Sequence, residues 1–505
     1  MRGLRNIPLL VILMGISALA MFVPALHGAV MEDWRASRIF FYAGLLFFFL
    51  AAILSIATYT TTPRNPLRGH IMALPLTFLA LPVMLAVPFN EAVPDTSFLN
   101  SYFEMVSSLT TTGATLFDDP VRLPLSVHLW RALVGWMGGF FVWVTAIAIL
   151  APMNLGGFEV VSARSLVPGA REVEASVRNT APRERLLRYS ARLFPIYAGL
   201  TGLLWLLMFL AGEDPFVSIC HAMSTLATSG ISPVGGLAED GAGVASEIAL
   251  FPFLIFAISR QTFTWEERGD GWGRLLGDSE LRMGLFIVLS VTVLLFLRHW
   301  LGAYDVNEEG NVTAALGALW GSAFTLASFL STTGFISMDW TQASDWSGLQ
   351  TPGLILLGVA LIGGGVATTA GGVKLLRVFA LFKHSQRELE KLVHPDSVGG
   401  AGAYARHIRR QGAYMAWVFF VMFALSVAGV SALLSLTGVE FEDNLVLTVS
   451  ALSTTGPLAG VAGADPISFA ALGSAGKLIL AAAMVLGRLE VLAIVALLNP
   501  SFWRS

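Results

Sequence analysis

Apolar runs of about 20 residues, almost free of charge, recur along the whole chain, and each is long enough to cross the roughly 30 Å of hydrocarbon in a bilayer. Ten lie near 8–28, 37–57, 70–90, 125–150, 190–211, 243–260, 283–300, 351–378, 411–437 and 471–499. Only 13% of the residues are charged and 55% are hydrophobic. A soluble protein carries about 25% charged residues, so this chain lacks the polar side chains for a water-facing surface. The expected fold class is an all-α polytopic membrane protein. The basic start, Met1 to Arg5, resembles a signal peptide, but the following run is long and soon succeeded by another, so it reads as a retained first span.

Lys and Arg gather in alternate loops near 58–69, 151–189, 261–282 and 379–410, whereas Glu91, Asp95, Glu213, Asp214, Glu440 and Asp443 fall in the others. The positive-inside rule then predicts that both termini are cytoplasmic, which an even number of spans allows. One cysteine, Cys220, excludes an intrachain disulfide and a multi-cysteine metal site. A net charge of -3 gives no footprint for nucleic acid.

Four shorter semi-apolar segments, near 98–112, 215–229, 315–333 and 442–455, sit between spans on the side opposite the basic loops. They end in "SLTTTGA" (108–114), "STLATSGI" (224–231), "FLSTTGFI" (329–336) and "ALSTTGPL" (451–458). The glycines Gly113, Gly230, Gly334 and Gly456 recur roughly every 100–120 residues, which marks an internal repeat. Each unit reads as span, descending half-helix, returning loop, span. Non-helical backbone at membrane depth is tolerated only where protein buries it or it lines a wet cavity. Glycine lets successive carbonyls face one axis. Four such loops would replace an ion's hydration shell with oxygens from Thr111, Thr112, Gly113, Thr228, Ser229, Gly230, Thr332, Thr333, Gly334, Thr454, Thr455 and Gly456. The half-helices would aim their negative C-terminal ends at the same place. Asp118, Asp119, Asp214 and Asp339 are either cation attractors at the mouth or ordinary loop acids.

Two further features stand out. "IGGGVATTAGG" (362–372) puts Gly363, Gly364, Gly365, Gly371 and Gly372 into the eighth run, with Thr368 and Thr369 between them. That much glycine is costly in a helix, so either tight helix packing or, as preferred here, an intramembrane loop beneath the filter explains it. Lys374 and Arg377 follow, as part of that gate region or as anchors that snorkel to the interface. The last run carries Arg488 and Glu490. Intramembrane charge normally faces protein or water, and two-residue spacing does not let these side chains face each other on a helix.

With these motifs, "WMGGFFVWVTAIAILAP" (136–152), "HAMSTLATSGISP" (221–233), "IGGGVATTAGGVKLLR" (362–377) and "MVLGRLEVLAIVALLNPSFWR" (484–504), nearly the whole chain resembles the Trk/Ktr/HKT superfamily of potassium and sodium transport proteins, in its bacterial TrkH/TrkG potassium-uptake branch. The resemblance implies four repeats around a central pore, preceded by an extra N-terminal helix pair. It divides the chain at 1–62 (helix pair), 63–162, 163–269, 270–398 (with the gate loop) and 399–505. It also implies K⁺ as the transported ion, held at the filter backbone, and no enzymatic activity. Relatives with serine at the first filter glycine favour sodium, so Gly113 implies potassium; Ala227 and Pro457 depart modestly from the usual pattern. Arg488 resembles the family's pore-lining arginine. Further implications are a bacterial cytoplasmic (inner) membrane location, a homodimer, and a cytosolic nucleotide-binding regulatory ring. ATP or NAD would act only through that ring, since this chain has neither a Walker nor a Rossmann fingerprint and is expected to bind no cofactor itself. The competing readings are a Na⁺- or H⁺-coupled secondary transporter of potassium or another small solute, with broken helices at its binding site, and a purely structural subunit.

Overall fold

The computed structural model describes residues 7–58, 66–151, 182–239, 243–259, 277–306, 312–341, 344, 352–396, 412–463 and 465–489. Large parts of the basic loops, and Glu490, lie outside them. The described helices are α1 (Leu9–Ala20), α2 (Phe22–Val30), α3 (Trp34–Thr58), α4 (Pro66–Ala92), α5 (Phe98–Leu109), α6 (Leu125–Thr145), α7 (Pro182–Leu210) and α8 (Pro215–Ala227). They continue with α9 (Val244–Ile258), α10 (Ser279–Val306), α11 (Val312–Leu330), α12 (Gly353–Ile362), α13 (Leu375–Val393), α14 (Ala413–Ser435), α15 (Phe441–Leu452) and α16 (Ser474–Leu489).

Among the described residues, seven helices are long and apolar enough to span a membrane, and they correspond to seven of the ten expected runs: Leu9–Val30, Trp34–Thr58, Ala73–Ala92, Leu125–Leu150, Glu184–Leu210, Ser279–Arg298 and Ala413–Ser435. Two of the other three are shorter than the sequence pattern suggested, and the third, α16, reaches the end of the described residues. α9 ends at Ile258, and the hydroxyl of the next residue, Ser259, donates to the Asp278 carboxylate. The run at 351–378 is helical only over α12 before it breaks at Gly363. α16 is described as far as Leu489. The chain is an all-α polytopic membrane protein. Large apolar side chains such as Phe49, Ile53, Ile56, Leu76, Phe286 and Leu294 point outward, as lipid contact requires.

The four short segments are half-helices: α5, α8, α11 and α15. Each packs between the two spans of its own repeat, and against the second span of the preceding one. Thus α8 touches α6, α11 touches α9, α15 touches α12, and α5 touches α16, which closes the set into a ring. α1–α3 pack beside this ring, chiefly against one another and α4.

Arg377 and Lys374 are buried, so neither snorkels. The Arg377 guanidinium lies 3.6 Å from the centroid of the Phe419 ring and donates to the Val373 carbonyl at 3.1 Å. A planar cation suits that stacking, and an ammonium does not reproduce it. Arg377→Lys is therefore expected to lower the unfolding temperature of the detergent-solubilised protein, through a loss of about 1–2 kcal/mol; an unchanged melting curve would show the stacking to be dispensable.

Candidate functional site

All four half-helices end alike. The amide of the threonine two residues before the glycine donates to a carbonyl of the last turn: Thr111 to Ser108 (2.9 Å), Thr228 to Thr225 (3.1 Å), Thr332 to Phe329 (3.1 Å) and Thr454 to Ala451 (3.3 Å). The next amide reaches one turn deeper: Thr112 to Ser107 (2.8 Å), Ser229 to Ser224 (2.9 Å), Thr333 to Ser328 (2.9 Å) and Thr455 to Ser450 (2.9 Å). This pair of bonds is the Schellman closure, which normally places glycine in the left-handed position. Here threonine occupies it, at φ 54° for Thr111, 53° for Thr228, 59° for Thr332 and 53° for Thr454. A β-branched residue at positive φ is an outlier, costing about 1–3 kcal/mol and usually found where function needs it. Four copies at one repeat position make this a built feature.

The strands that follow meet one another in cyclic order. A Cβ on Gly113 would lie 1.9 Å from the Ser229 carbonyl oxygen, and one on Gly230 would lie 2.4 Å from that of Thr333. One on Gly334 would meet the Pro457 ring at 2.9 Å, and one on Gly456 the Ala114 nitrogen at 2.1 Å. The Gly456 amide donates to the Thr112 carbonyl at 2.6 Å. The structure thus brings the twelve sequence-selected loop residues together around a single axis. Gly113, Gly230 and Gly334 have positive φ, whereas Gly456 opens the 3-10 turn Gly456–Gly460, which Pro457 starts. The fourth loop is consequently distinct in its exit.

The glycine-rich segment is a buried, non-helical hairpin between α12 and α13. Its limbs are tied by Val373 N–H to Leu361 O (3.0 Å) and Lys374 N–H to Ile362 O (2.9 Å), and Gly363 packs on Gly371 and Gly372. The Thr368 hydroxyl donates to Ala257 O (3.0 Å) and Gly365 O (2.8 Å), while Gly364 packs against the Ala257 carbonyl. The tip reaches the underside of the four loops. The Thr369 carbonyl accepts from the Thr228 hydroxyl (2.8 Å) and from Arg488 Nη1 (2.7 Å), and the Thr369 hydroxyl donates to Leu226 O (3.2 Å). The Gly371 amide donates to the Thr332 hydroxyl (2.8 Å), and Gly371 packs against Ser453 and Thr454. Lys374 Nζ donates to the Ala370 carbonyl within the hairpin. Three of the four left-handed threonines therefore touch it.

Of the four acids weighed as cation attractors or ordinary loop acids, three have structural tasks. Asp214 caps α8 at the Phe216 amide (2.8 Å), Asp119 accepts from the Val121 amide (3.0 Å), and Asp118 accepts from the Ser468 hydroxyl (2.6 Å). The Asp339 amide donates to the Ser337 hydroxyl (3.3 Å). Sequence reasoning missed a set of buried carboxylates behind the loops. Glu104 pairs with Arg131 at 3.0 Å and accepts from the Leu116 amide at 2.6 Å; Glu213 pairs with His221; and Glu247 accepts from the Met338 amide and the Ser337 hydroxyl, both at 2.8 Å. Only Glu104 stands on a half-helix; Glu213 precedes one, and Glu247 lies on the span α9.

Comparison with known proteins agrees with this architecture. The family description "Cation transport protein" (TrkH) matches residues 38–504. The Trk system potassium uptake protein TrkH of Salmonella typhimurium is 31% identical over 422 residues, 83% of this chain and 82% of that one. Its Escherichia coli counterpart is 29% identical over 497 residues, 96% of each chain. The crystal structure of the potassium transporter TrkH from Vibrio parahaemolyticus superposes with a TM-score of 0.79, covering 99% of both chains at 26% identity. With a match spanning all four loops, the hairpin and Arg488, the chain belongs to the TrkH family of cation transport proteins.

Proposed function

We propose that this protein carries potassium into the cell through the axis on which the four loops meet, in a channel-like manner. The observation that supports it best is the fourfold left-handed threonine, which turns the chain at the end of each half-helix so that the following backbone lines the axis. Carbonyls of residues 111–113, 228–230, 332–334 and 454–456 substitute for the hydration shell of K⁺, and the C-terminal ends of α5, α8, α11 and α15 add negative potential. The site core contains no formal negative charge, so discrimination rests on backbone dipoles. Potassium as cargo also agrees with the names of the relatives, which are potassium uptake proteins.

The hairpin at 363–374, including Gly363, Gly364, Gly365, Thr368, Thr369, Gly371, Gly372 and Lys374, is the gate, and Arg488 holds its tip. The repeat boundaries at 63–162, 163–269, 270–398 and 399–505 follow from the same reading. The protein resides in the bacterial inner membrane with both termini cytoplasmic, works as a homodimer, and answers to a cytosolic nucleotide-binding ring that senses ATP or NAD. These last features rest on the family resemblance and the distribution of basic residues.

Purified protein in proteoliposomes is expected to pass K⁺ well above protein-free vesicles and in preference to Na⁺. Equal K⁺ and Na⁺ flux would overturn the assigned cargo, and absence of any cation flux even after deletion of 366–369 would overturn the pore.

A further inference from the structure

Directly behind the loops, one position is used three times in the same way. Nine residues before the loop glycine stand Glu104, His221, Thr325 and Leu447, all on the buried faces of their half-helices. The first three grip the outgoing strand of their own repeat. Glu104 Oε1 accepts from the Leu116 amide (2.6 Å) and the Thr115 hydroxyl (2.9 Å). His221 Nε2 lies 2.8 Å from the Ser232 hydroxyl oxygen. Its Nδ1 faces the Glu213 carboxylate. Thr325 Oγ1 accepts from the Ser337 amide at 3.2 Å.

Each contact lands two or three residues past the glycine, where the strand leaves the axis. A carboxylate, an imidazole and a hydroxyl share no chemistry beyond making a hydrogen bond in that place. Helix packing alone would be satisfied by apolar residues at these buried positions, as the fourth repeat illustrates with Leu447. There the exit is formed differently, by Pro457 and its 3-10 turn. The Pro457 ring packs against Gly230 and Gly334. Buried acceptors are costly when unpaired, so the three contacts fix the strands as firmly as they fix the side chains.

We infer that Glu104, His221 and Thr325 are positioning residues for the filter: acting through the outgoing strands, they hold the carbonyl rings at the spacing that separates K⁺ from Na⁺, while the fourth quadrant is held by proline. This inference rests on the filter assignment proposed above. Thr325→Val removes the acceptor while keeping the shape, and Thr325→Ser restores it. In proteoliposomes, Thr325→Val is expected to lower the K⁺/Na⁺ flux ratio about fivefold, as loss of one hydrogen bond of ordinary strength would. Thr325→Ser should retain the native ratio, and Glu104→Leu, which removes the acceptor, should reduce it when the protein folds. A structural role alone would lower the yield of active protein without moving the ratio. Gly113→Ser, measured alongside, separates the two ideas. If Gly113→Ser abolishes the preference while Thr325→Val leaves it intact, the strut is wrong and the filter assignment stands. If Gly113→Ser itself leaves the preference intact, both fall.

Discussion

Serine in place of Gly113 is expected to remove most of the preference for potassium, by tenfold or more in the K⁺/Na⁺ flux ratio, which corresponds to at least about 1.4 kcal/mol of lost discrimination. Two causes add. The residue sits at φ 72°, a region L side chains rarely adopt. Its Cβ would also stand 1.9 Å from the Ser229 carbonyl oxygen, where ordinary contact begins at 3.4 Å. The neighbour is backbone and cannot rotate away, so one loop must move by more than an ångström. Carbonyls displaced that far no longer match dehydrated K⁺. Gly199→Ser is the control: it lies on α7 with open space around it and should leave the ratio unchanged. A native ratio in the folded Gly113→Ser protein would remove this glycine from the filter.

Shortening the hairpin is expected to act in the opposite direction, raising basal flux. Deleting 366–369 removes the Thr369 carbonyl that receives Thr228 and Arg488, and with it the plug beneath the loops. The charge-assisted bond from Arg488 alone is worth about 1.5–3 kcal/mol, so Arg488→Ala should shift the closed-to-open balance tenfold or more. The deletion should exceed that, because it also frees the contacts of Thr368 with Ala257 and Thr369 with Leu226. Single-channel or vesicle flux recordings without any partner protein would measure both. Flux at the native level in a correctly folded deletion variant would show that the hairpin does not obstruct the path.

The two variants probe opposite sides of one junction. The left-handed threonines belong to both: their backbone turns the filter strands, and the side chains of Thr228 and Thr332 hold the hairpin. On the proposed reading, a hairpin hydrogen-bonded to the filter's corner residues couples the two directly.

What could be read from the residues alone was governed by the bilayer. Hydrocarbon imposes span length, and it forbids unpaired backbone, so apolar runs, basic loops and four glycine-bearing interruptions were legible without coordinates. The glycines at 362–372 likewise announced a break, because no stable helix accommodates so many. Other features depend on partners that sequence proximity does not supply. The cyclic order joins Gly113 to Ser229, Gly230 to Thr333 and Gly456 to Ala114 across separate repeats. The strain at Thr111, Thr228, Thr332 and Thr454 is invisible in threonine's own preferences, since the Schellman closure and the packed ring hold it. Lys374 and Arg377 could be read as part of the gate region or as interface anchors; the fold buries them against Ala370 and Phe419. Hydropathy is a local property summed along the chain, and it decided that this protein spans a membrane in repeated units. Close approach of backbones and the pairing of buried polar groups are properties of neighbours distant in sequence, so only the tertiary structure decided how the four units meet and what packs beneath them.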